Sequence, residues 1–356
     1  MRVTHDFSTW LLTVVAAVLS LAPGAAIAAS KAVNSQVIVD SRQPIAVPAK
    51  AQGSPEVRSS RRRKAAAVAP RRAVPPAPSV GQLSGLHGVE DELALKSAVA
   101  LVVDRDTDEV LFSKNARAVL PIASITKLMT ALVVVESGQA MEEALAVTPE
   151  DVRATAGSSS RRRLASGTHI SRGDMLRLAL MASENRAAYA LGRSHPGGVA
   201  AFVEAMNAKA RQLGMRDTRY VEPTGLSSEN RSSAQDLALL VRAAAGHPII
   251  REYSTTSDAV VETGRRQVQF RNTNGLVHDP EWEIAVQKTG YIAAAGRCVV
   301  MQAQMAGRQL IMVLLDSTGR YSRIGDAQRL RDWLFLAAAT PAQPWVLGGA
   351  VGDQPR

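Results

Sequence analysis

Ser124 and Lys127 lie three residues apart in the stretch PIASITKLMT, and the apolar run LMTALVVV begins directly after Lys127. On a helix, residues three apart share a face, so the hydroxyl and the amine can meet. A lysine accepts a proton only when it is neutral, which requires its pKa to fall from about 10.4 to roughly 7–8. Desolvation and a nearby cation would lower the pKa in this way. The pair therefore fits a serine nucleophile with a lysine base, although an ordinary helix start would also explain the serine.

Two further motifs carry polar groups suited to the same chemistry. Ser183-Glu184-Asn185 lies between two segments of helical periodicity, where a loop can direct side chains into a cleft. Lys288-Thr289-Gly290 ends the strand-like run EIAVQ, so an ammonium and a hydroxyl can hold a carboxylate beside a residue without a side chain. A single serine–lysine pair recurs by composition, but Ser-x-x-Lys, Ser-x-Asn and Lys-Thr-Gly in this order are the motif set of penicillin-binding proteins and serine β-lactamases.

Residues 95–336 resemble the low-molecular-weight penicillin-binding proteins, the D-alanyl-D-alanine carboxypeptidases and endopeptidases of serine peptidase type S11. Within this family the chain is most similar to the endopeptidase branch, the penicillin-binding protein 7 type. The resemblance implies a β-lactamase/transpeptidase-like fold and hydrolysis of D-alanyl peptide bonds in peptidoglycan through an acyl-enzyme, with no cofactor and no metal. The stretches that carry it are ASITKLMTA, ALMASENRAAYAL, PGGVAAFVEAMNAKA, EPTGLSSEN, FRNTNGLV and KTGYIAAAGRC.

The resemblance also implies a role for each residue of the first two motifs. Ser124 is the acylated nucleophile, and Lys127 is its base. Ser183 passes a proton towards the leaving amine, while Asn185 holds Lys127 and the acyl-side amide of the substrate. The oxyanion hole consists of the backbone N–H groups of Ser124 and Tyr291.

The third motif is expected to read the carboxylate of the leaving group. By resemblance, Lys288 supplies positive potential near Ser183, Thr289 binds the carboxylate, and Gly290 leaves the space beside it open. Arg323, just before the last predicted helix, is a weaker candidate for the same carboxylate, because a surface salt bridge would explain it equally well.

Three alternatives stay open beside a DD-endopeptidase. A class A β-lactamase needs a glutamate that activates water and an asparagine four residues later; Glu222 fits the first requirement, but position 226 is leucine. A catalytically silent wall-binding protein would not need the complete set of catalytic residue types. A DD-carboxypeptidase differs only in the space beyond the substrate carboxylate, and the resemblance favours the endopeptidase.

The surrounding sequence predicts the elements that must position these motifs. Two β-type runs joined at residues 105–108 form a hairpin, a helix runs from Ser124 to near Gly138, and residues 140–250 are mostly helical. Short apolar runs resume after about residue 258, and SRIGDAQRLRDWLFLA forms a last helix. This order predicts an α/β (α+β) fold, with one antiparallel sheet whose N- and C-terminal strands pair, flanking helices and an inserted helical lobe.

The N-terminal part of the chain differs in composition from the rest. Residues 1–28 predict an export signal, with an apolar stretch at 10–22 and a small-residue cleavage site at Ala26-Ile27-Ala28; a retained anchor is the alternative. Residues 29–86 contain ten basic and two acidic residues, and they predict a disordered Ala/Pro/Arg-rich linker. A peptidase domain is expected at 87–340, and a disordered tail at 341–356.

Charge, histidines and the single cysteine limit the other function classes. Most of the net charge of +10 lies in the linker, so it does not indicate nucleic-acid binding. The six histidines are too scattered for a local metal pair, and Cys298 fits a buried small residue. The arginines at 161–163 either flank the cleft or lie in a solvated loop. The expected location is the periplasm, the expected partners are peptidoglycan peptide stems and β-lactam antibiotics as covalent inhibitors, and the linker could contact anionic envelope polymers.

Overall fold

The structure is a computed structural model that describes residues 77–157, 164–264 and 266–339. The predicted export signal, most of the predicted linker, the three arginines at 161–163 and the predicted tail lie outside the described residues. Across the described ranges, every helix is too short or too polar to cross a lipid bilayer.

A five-stranded antiparallel sheet with the order β2-β1-β11-β10-β9 forms the centre of the fold, and three two-stranded sheets pair β3 with β6, β4 with β5, and β7 with β8. Val99 lies opposite Leu315 where the first and last strands meet, so the pairing of N- and C-terminal strands is confirmed. The described strands are β1 (Ser97–Asp104), β2 (Val110–Lys114), β3 (Leu120–Pro121), β4 (Ala144–Ala146), β5 (His169–Ser171), β6 (Arg231–Ser232), β7 (Asp258–Glu262), β8 (Gln267–Arg271), β9 (Glu283–Ile292), β10 (Gly296–Met305) and β11 (Arg308–Ser317).

The segment between β2 and β9 contains the predicted helical lobe. Its central helix begins at Thr126, and the first nine residues of that helix are buried, because other helices of the lobe pack around it. The described α-helices are α1 (Val80–Leu83), α2 (Thr126–Glu136), α3 (Pro149–Ala154), α4 (Arg172–Met181), α5 (Asn185–Arg193), α6 (Gly198–Gln212), α7 (Ala234–Ala245), α8 (Pro248–Thr255) and α9 (Ser322–Ala339).

Two hydrophobic cores lie on opposite faces of the sheet. Val99 belongs to the core shared with the lobe, and the next residue, Ala100, belongs to the core shared with α9. All eight residues of β1 are buried, because both of its faces are covered. Because both faces of these strands are buried, their sequences are continuous apolar runs and do not alternate between apolar and polar residues.

Two details of the strands differ from the sequence-based expectation. The β7–β8 hairpin forms its own two-stranded sheet and does not join the central one. The third motif lies in the middle of β9 rather than at a strand end, because pairing with β10 continues as far as Ile292. β9 is nevertheless an edge strand, so the motif still borders open space on one side.

The predicted linker boundary at residue 86 is too late. Ser79 caps α1, and its hydroxyl donates a 2.6 Å hydrogen bond to the buried Asp316 carboxylate. Gly81 lies against the same carboxylate, with no space for a Cβ, and Leu86 packs on the core of the lobe. The folded domain therefore includes residues 79–86, since these short segments bury polar groups against Asp316 and apolar groups against the core of the lobe.

We expect a chain that begins at residue 87 to be less stable than one that begins at residue 77. It loses the Ser79 hydroxyl, which donates to a buried carboxylate, and such a bond contributes about 2 kcal/mol. Urea unfolding of both chains measures the difference, and Ser79→Ala in the longer chain should reproduce part of it. Equal unfolding midpoints would show that residues 77–86 add nothing to the stability of the fold.

Candidate active site

Ser124 lies in a single 3₁₀ turn, Ala123–Ile125, that leads into α2. Ala123 adopts a left-handed conformation with φ of 47°, which costs a residue with a Cβ about 1–3 kcal/mol. The neighbouring loop compensates by fixing the turn: the Ile122 N–H donates to the Asn230 carbonyl, and Gly225 (φ +80°) lies so close that a Cβ would overlap the Ala123 carbonyl. The nucleophilic hydroxyl is thus presented by a strained turn that its surroundings hold in place.

Lys127 is fully buried, and its amine contacts three oxygens. Nζ lies 2.8 Å from Ser124 Oγ, 2.7 Å from Asn185 Oδ1 and 2.5 Å from the Thr224 carbonyl oxygen. A carbonyl oxygen can only accept, and Asn185 presents its amide oxygen here. A neutral amine has two N–H donors and one lone pair, so it can donate to these two oxygens and direct the lone pair at the Ser124 hydroxyl. The geometry therefore fits a neutral lysine that accepts the serine proton.

Burial lowers the pKa of Lys127 from 10.5 to about 7, while the Glu222 and Glu184 carboxylates act in the opposite direction. The sequence led us to expect desolvation together with a nearby cation. In the structure the first cause suffices, because burial outweighs both carboxylates. Burial therefore favours the neutral amine that a base requires.

The second motif lies in the loop between α4 and α5, as predicted. Ser183 has φ of 55°, a second left-handed residue at the site, and it lines the same cleft as Ser124. The Glu184 N–H donates to the Leu178 carbonyl, and the Glu184 carboxylate accepts from the Arg186 N–H at the start of α5. These contacts fix the loop so that Asn185 reaches Lys127.

The third motif runs along the other wall of the cleft. Lys288 is fully buried; burial and the charges of Lys127 and Arg323 hold its pKa well below the ordinary value. The Thr289 hydroxyl lies 2.6 Å from the hydroxyl of Thr273. A Cβ on Gly290 would come within 3.1 Å of the Ser124 nitrogen, so this strand needs a glycine to approach the nucleophile turn closely.

Arg323 lies in the cleft and is not a surface salt-bridge residue. Its Nε and Nη1 atoms are buried, and they have no hydrogen-bond partner within the described part of the chain. Burial lowers its pKa, and the charge of Arg297 adds to the effect. The cleft has a volume of about 720 Å³. Its lining includes Ser124, Ser183, Asn185, Thr289, Gly290, Tyr291 and Arg323, together with Phe270 and Arg271 from β8.

The loop at residues 222–230 completes the site, a role that the sequence did not predict. Glu222 accepts hydrogen bonds from the N–H groups of Thr224 and Gly225, and Asn230 donates to Glu222 and to the Thr126 hydroxyl. These bonds aim the Thr224 carbonyl at Lys127. The stretch EPTGLSSEN carries the family resemblance, but its side chains do not reveal that the Thr224 backbone carbonyl contacts the Lys127 amine. Because the Glu222 carboxylate holds its own loop, the structure speaks against a water-activating role.

Cys298 is buried in β10, as expected from its apolar surroundings. Burial raises the pKa of its thiol to about 12, so the nucleophilic thiolate is disfavoured near neutral pH. Cys298 is therefore poorly suited to act as a nucleophile, in contrast to Ser124, which lines the cleft.

Comparisons with known proteins agree with this geometry. The family described as "D-alanyl-D-alanine carboxypeptidase" (Peptidase S11) matches residues 87–319. A D-alanyl-D-alanine endopeptidase of Pseudomonas aeruginosa is 46% identical over 255 residues, which cover 71% of this chain and 82% of that protein. A D-alanyl-D-alanine endopeptidase of Escherichia coli is 43% identical over 271 residues, which cover 76% of this chain and 87% of that protein.

A solved structure gives the same result for the fold. Penicillin-binding protein D2 from Listeria monocytogenes, in its cefotaxime-bound form, superposes with a TM-score of 0.61 at 29% identity and covers 69% of this chain and all of that chain. The transpeptidase-like fold implied by the sequence is thereby confirmed. The chain belongs to the peptidase S11 family and is a serine D-Ala-D-Ala peptidase.

Proposed function

We propose that this chain is an exported, periplasmic DD-endopeptidase that cleaves cross-links in peptidoglycan through an acyl-enzyme on Ser124. The observation that carries the proposal is the position of the buried Lys127 amine between Ser124 Oγ and two acceptor oxygens. The endopeptidase names of the two relatives support the cross-link as substrate.

Acylation begins when Ser124 Oγ attacks the carbonyl carbon of the D-alanine on the acyl side of the scissile bond. The Lys127 lone pair takes the hydroxyl proton as the carbon–oxygen bond forms. The backbone N–H groups of Ser124 and Tyr291 receive the oxyanion, which the close approach of β9 to the nucleophile turn supports. A proton then reaches the leaving amine by way of Ser183, the carbon–nitrogen bond breaks, and water later hydrolyses the ester.

The carboxylate next to the scissile bond is bound at the third motif. Thr289 offers its hydroxyl, and the buried Lys288 amine donates to the Thr289 carbonyl and so supports this strand. Arg323 lines the cleft with a guanidinium whose Nε and Nη1 atoms have no partner among the described residues. Charge-assisted hydrogen bonds of this type are stronger than neutral ones. The same contacts would hold the carboxylate of a β-lactam, so we propose β-lactam antibiotics as covalent inhibitors.

Arg323→Gln is expected to lower kcat/KM for a D-alanyl-D-alanine peptide by at least about tenfold, since a hydrogen bond to a charged group is lost. The same peptide with a C-terminal amide should be cleaved slowly by both proteins, and the substitution should hardly change its rate. Arg331→Gln, which removes a guanidinium of α9 that pairs with Glu281 and is not part of the cleft lining, serves as the matched control. An equal loss of kcat/KM on the acid and amide peptides would show that Arg323 does not bind the carboxylate.

The basic linker would act as a tether attracted by anionic envelope polymers. Its lysines and arginines precede residue 77, outside the described residues. Binding of the chain with and without residues 29–76 to purified sacculi, at low and at physiological salt, tests this proposal, because screening weakens such attraction.

One digestion tests the proposed reaction. Purified protein is incubated with cross-linked dimeric muropeptide and, separately, with monomeric pentapeptide, and the products are identified by mass. We expect the dimer to be split into monomers with the higher kcat/KM. Loss of terminal D-alanine without splitting of the dimer would identify a carboxypeptidase instead. Covalent labelling by a fluorescent penicillin with slow release distinguishes this peptidase from a β-lactamase and from a silent protein.

A further inference from the structure

A second arginine, Arg297, is stacked on Tyr291, a residue of the cleft lining. Tyr291 on β9 and Arg297 on β10 are directly opposite in the sheet, and the guanidinium carbon of Arg297 is 4.5 Å from the ring centroid. The ring is 45% exposed and lines the cleft. Such a stack orients a guanidinium without neutralising its charge, so its N–H groups stay available to an anion.

This arginine continues the line of groups that begins at the third motif. Alternate residues of a strand share a face, so Thr289, Tyr291 and the cross-strand neighbour Arg297 lie on the same face of the sheet. The start of α9 covers that face and supplies Arg323. The charge of Arg297 contributes to the lowered pKa of Arg323.

The two arginines are not neutralised by the protein. Across the described residues, neither Arg323 nor Arg297 forms a salt bridge with a carboxylate, whereas other arginines at this level of burial, such as Arg193 and Arg308, do. Neighbouring like charges repel each other more strongly where water is partly excluded. A site that keeps both is therefore suited to a ligand with more than one negative group.

The two possible leaving groups differ in this respect. Terminal D-alanine carries one carboxylate, which Thr289 and Arg323 would bind. The leaving group of a cross-link is a diamino acid within a second peptide stem, and the acidic residue and C-terminus of that stem carry further carboxylates.

We infer that Arg297, oriented by Tyr291, binds a second carboxylate on the leaving stem and so makes the enzyme prefer cross-linked over monomeric peptides. The inference rests on the proposed function and assigns one residue to its specificity. Arg297 takes no part in bond making or breaking. It binds a part of the substrate that lies farther from the scissile bond than the carboxylate bound by the third motif.

The test compares kcat/KM for dimeric muropeptide and monomeric pentapeptide in the native chain and in Arg297→Gln, each normalised to the fraction that penicillin labels. We expect kcat/KM for the dimer to fall about tenfold, mainly through KM, and kcat/KM for the pentapeptide to change less than about twofold. Arg297→Lys should recover part of the loss. Arg331→Gln, which also removes an arginine stacked on aromatic rings, should leave the ratio of the two substrates unchanged.

A second measurement changes the substrate instead of the protein. Amidation of the distal carboxylates of the leaving stem should lower kcat/KM of the native chain for the dimer by a similar factor, and Arg297→Gln should then cause no further loss. A native chain that splits acid and amidated dimers equally well, or an Arg297→Gln variant with an unchanged substrate ratio, overturns this inference alone. A native chain that does not split the dimer overturns the proposed function as well.

Discussion

Ser124→Ala is expected to abolish both hydrolysis of muropeptides and covalent labelling by penicillin. The substitution removes the hydroxyl that the Lys127 amine contacts and would deprotonate. Removal of one small hydroxyl at a helix start should change the free energy of unfolding by about 1 kcal/mol or less. The fold and the substrate pocket should therefore persist. Labelling with fluorescent penicillin, product analysis and urea unfolding on the same preparation measure the three effects.

Ser137→Ala is the matched control for this substitution. Ser137 follows the other end of α2, and its hydroxyl lies within hydrogen-bonding distance of the Val134 carbonyl and of Gln139 Oε1, both outside the cleft. Both activities should survive in this variant. Stoichiometric labelling that persisted in Ser124→Ala would mean that a different nucleophile carries the acyl group.

Lys127→Arg is expected to stop acylation while the protein stays folded and keeps its pocket. Arginine retains the charge and most of the length, but its pKa above about 12 prevents it from accepting a proton near neutral pH. Lys209→Arg, at a surface ion pair with Glu136, is the control for replacing a lysine by an arginine, and it should acylate at the native rate. Acylation near the native rate in Lys127→Arg would exclude Lys127 as the base and direct attention to Lys288.

The native chain should show the matching pH dependence. Burial holds the pKa of Lys127 at about 7, so the neutral fraction rises with pH through that value. The acylation rate should accordingly increase about tenfold from pH 6 to pH 8 and then level off. A lysine with its ordinary pKa would instead give a rate that keeps rising towards pH 10. Penicillin acylation rates from pH 6 to 10 separate the two cases.

Local patterns in the sequence predicted the parts of the fold that depend on neighbouring residues. Periodicity located α2, the helices of the lobe and the strands that form the sheet, because buried faces repeat within each element. Residues of all three motifs line one cleft, and the resemblance to a known family rested on the order and contexts of these motifs. The separate β7–β8 hairpin and the central position of Lys288 within β9 depend on pairing with other strands, which periodicity does not reveal.

The remaining features of the site depend on contacts between residues far apart in the chain. The third partner of the Lys127 amine is a backbone carbonyl at Thr224, and a carbonyl carries no side-chain signature. Arg323 could be distinguished from a surface residue only once α9 was seen to direct it into the cleft. Ser79 lies within a stretch of linker composition, and the contact that ties it to the rest of the fold is its hydrogen bond to Asp316, which is 237 residues away in the chain.

The most direct test of the account is the location of the penicillin adduct in the native chain. Purified protein is acylated with benzylpenicillin, denatured in acid and digested, and the modified peptide is sequenced by mass spectrometry. We predict one adduct per chain, on the Ser124 hydroxyl of the ASITK segment. An adduct on any other residue, or a native protein that stays unmodified, would contradict the assignment of Ser124 as the nucleophile.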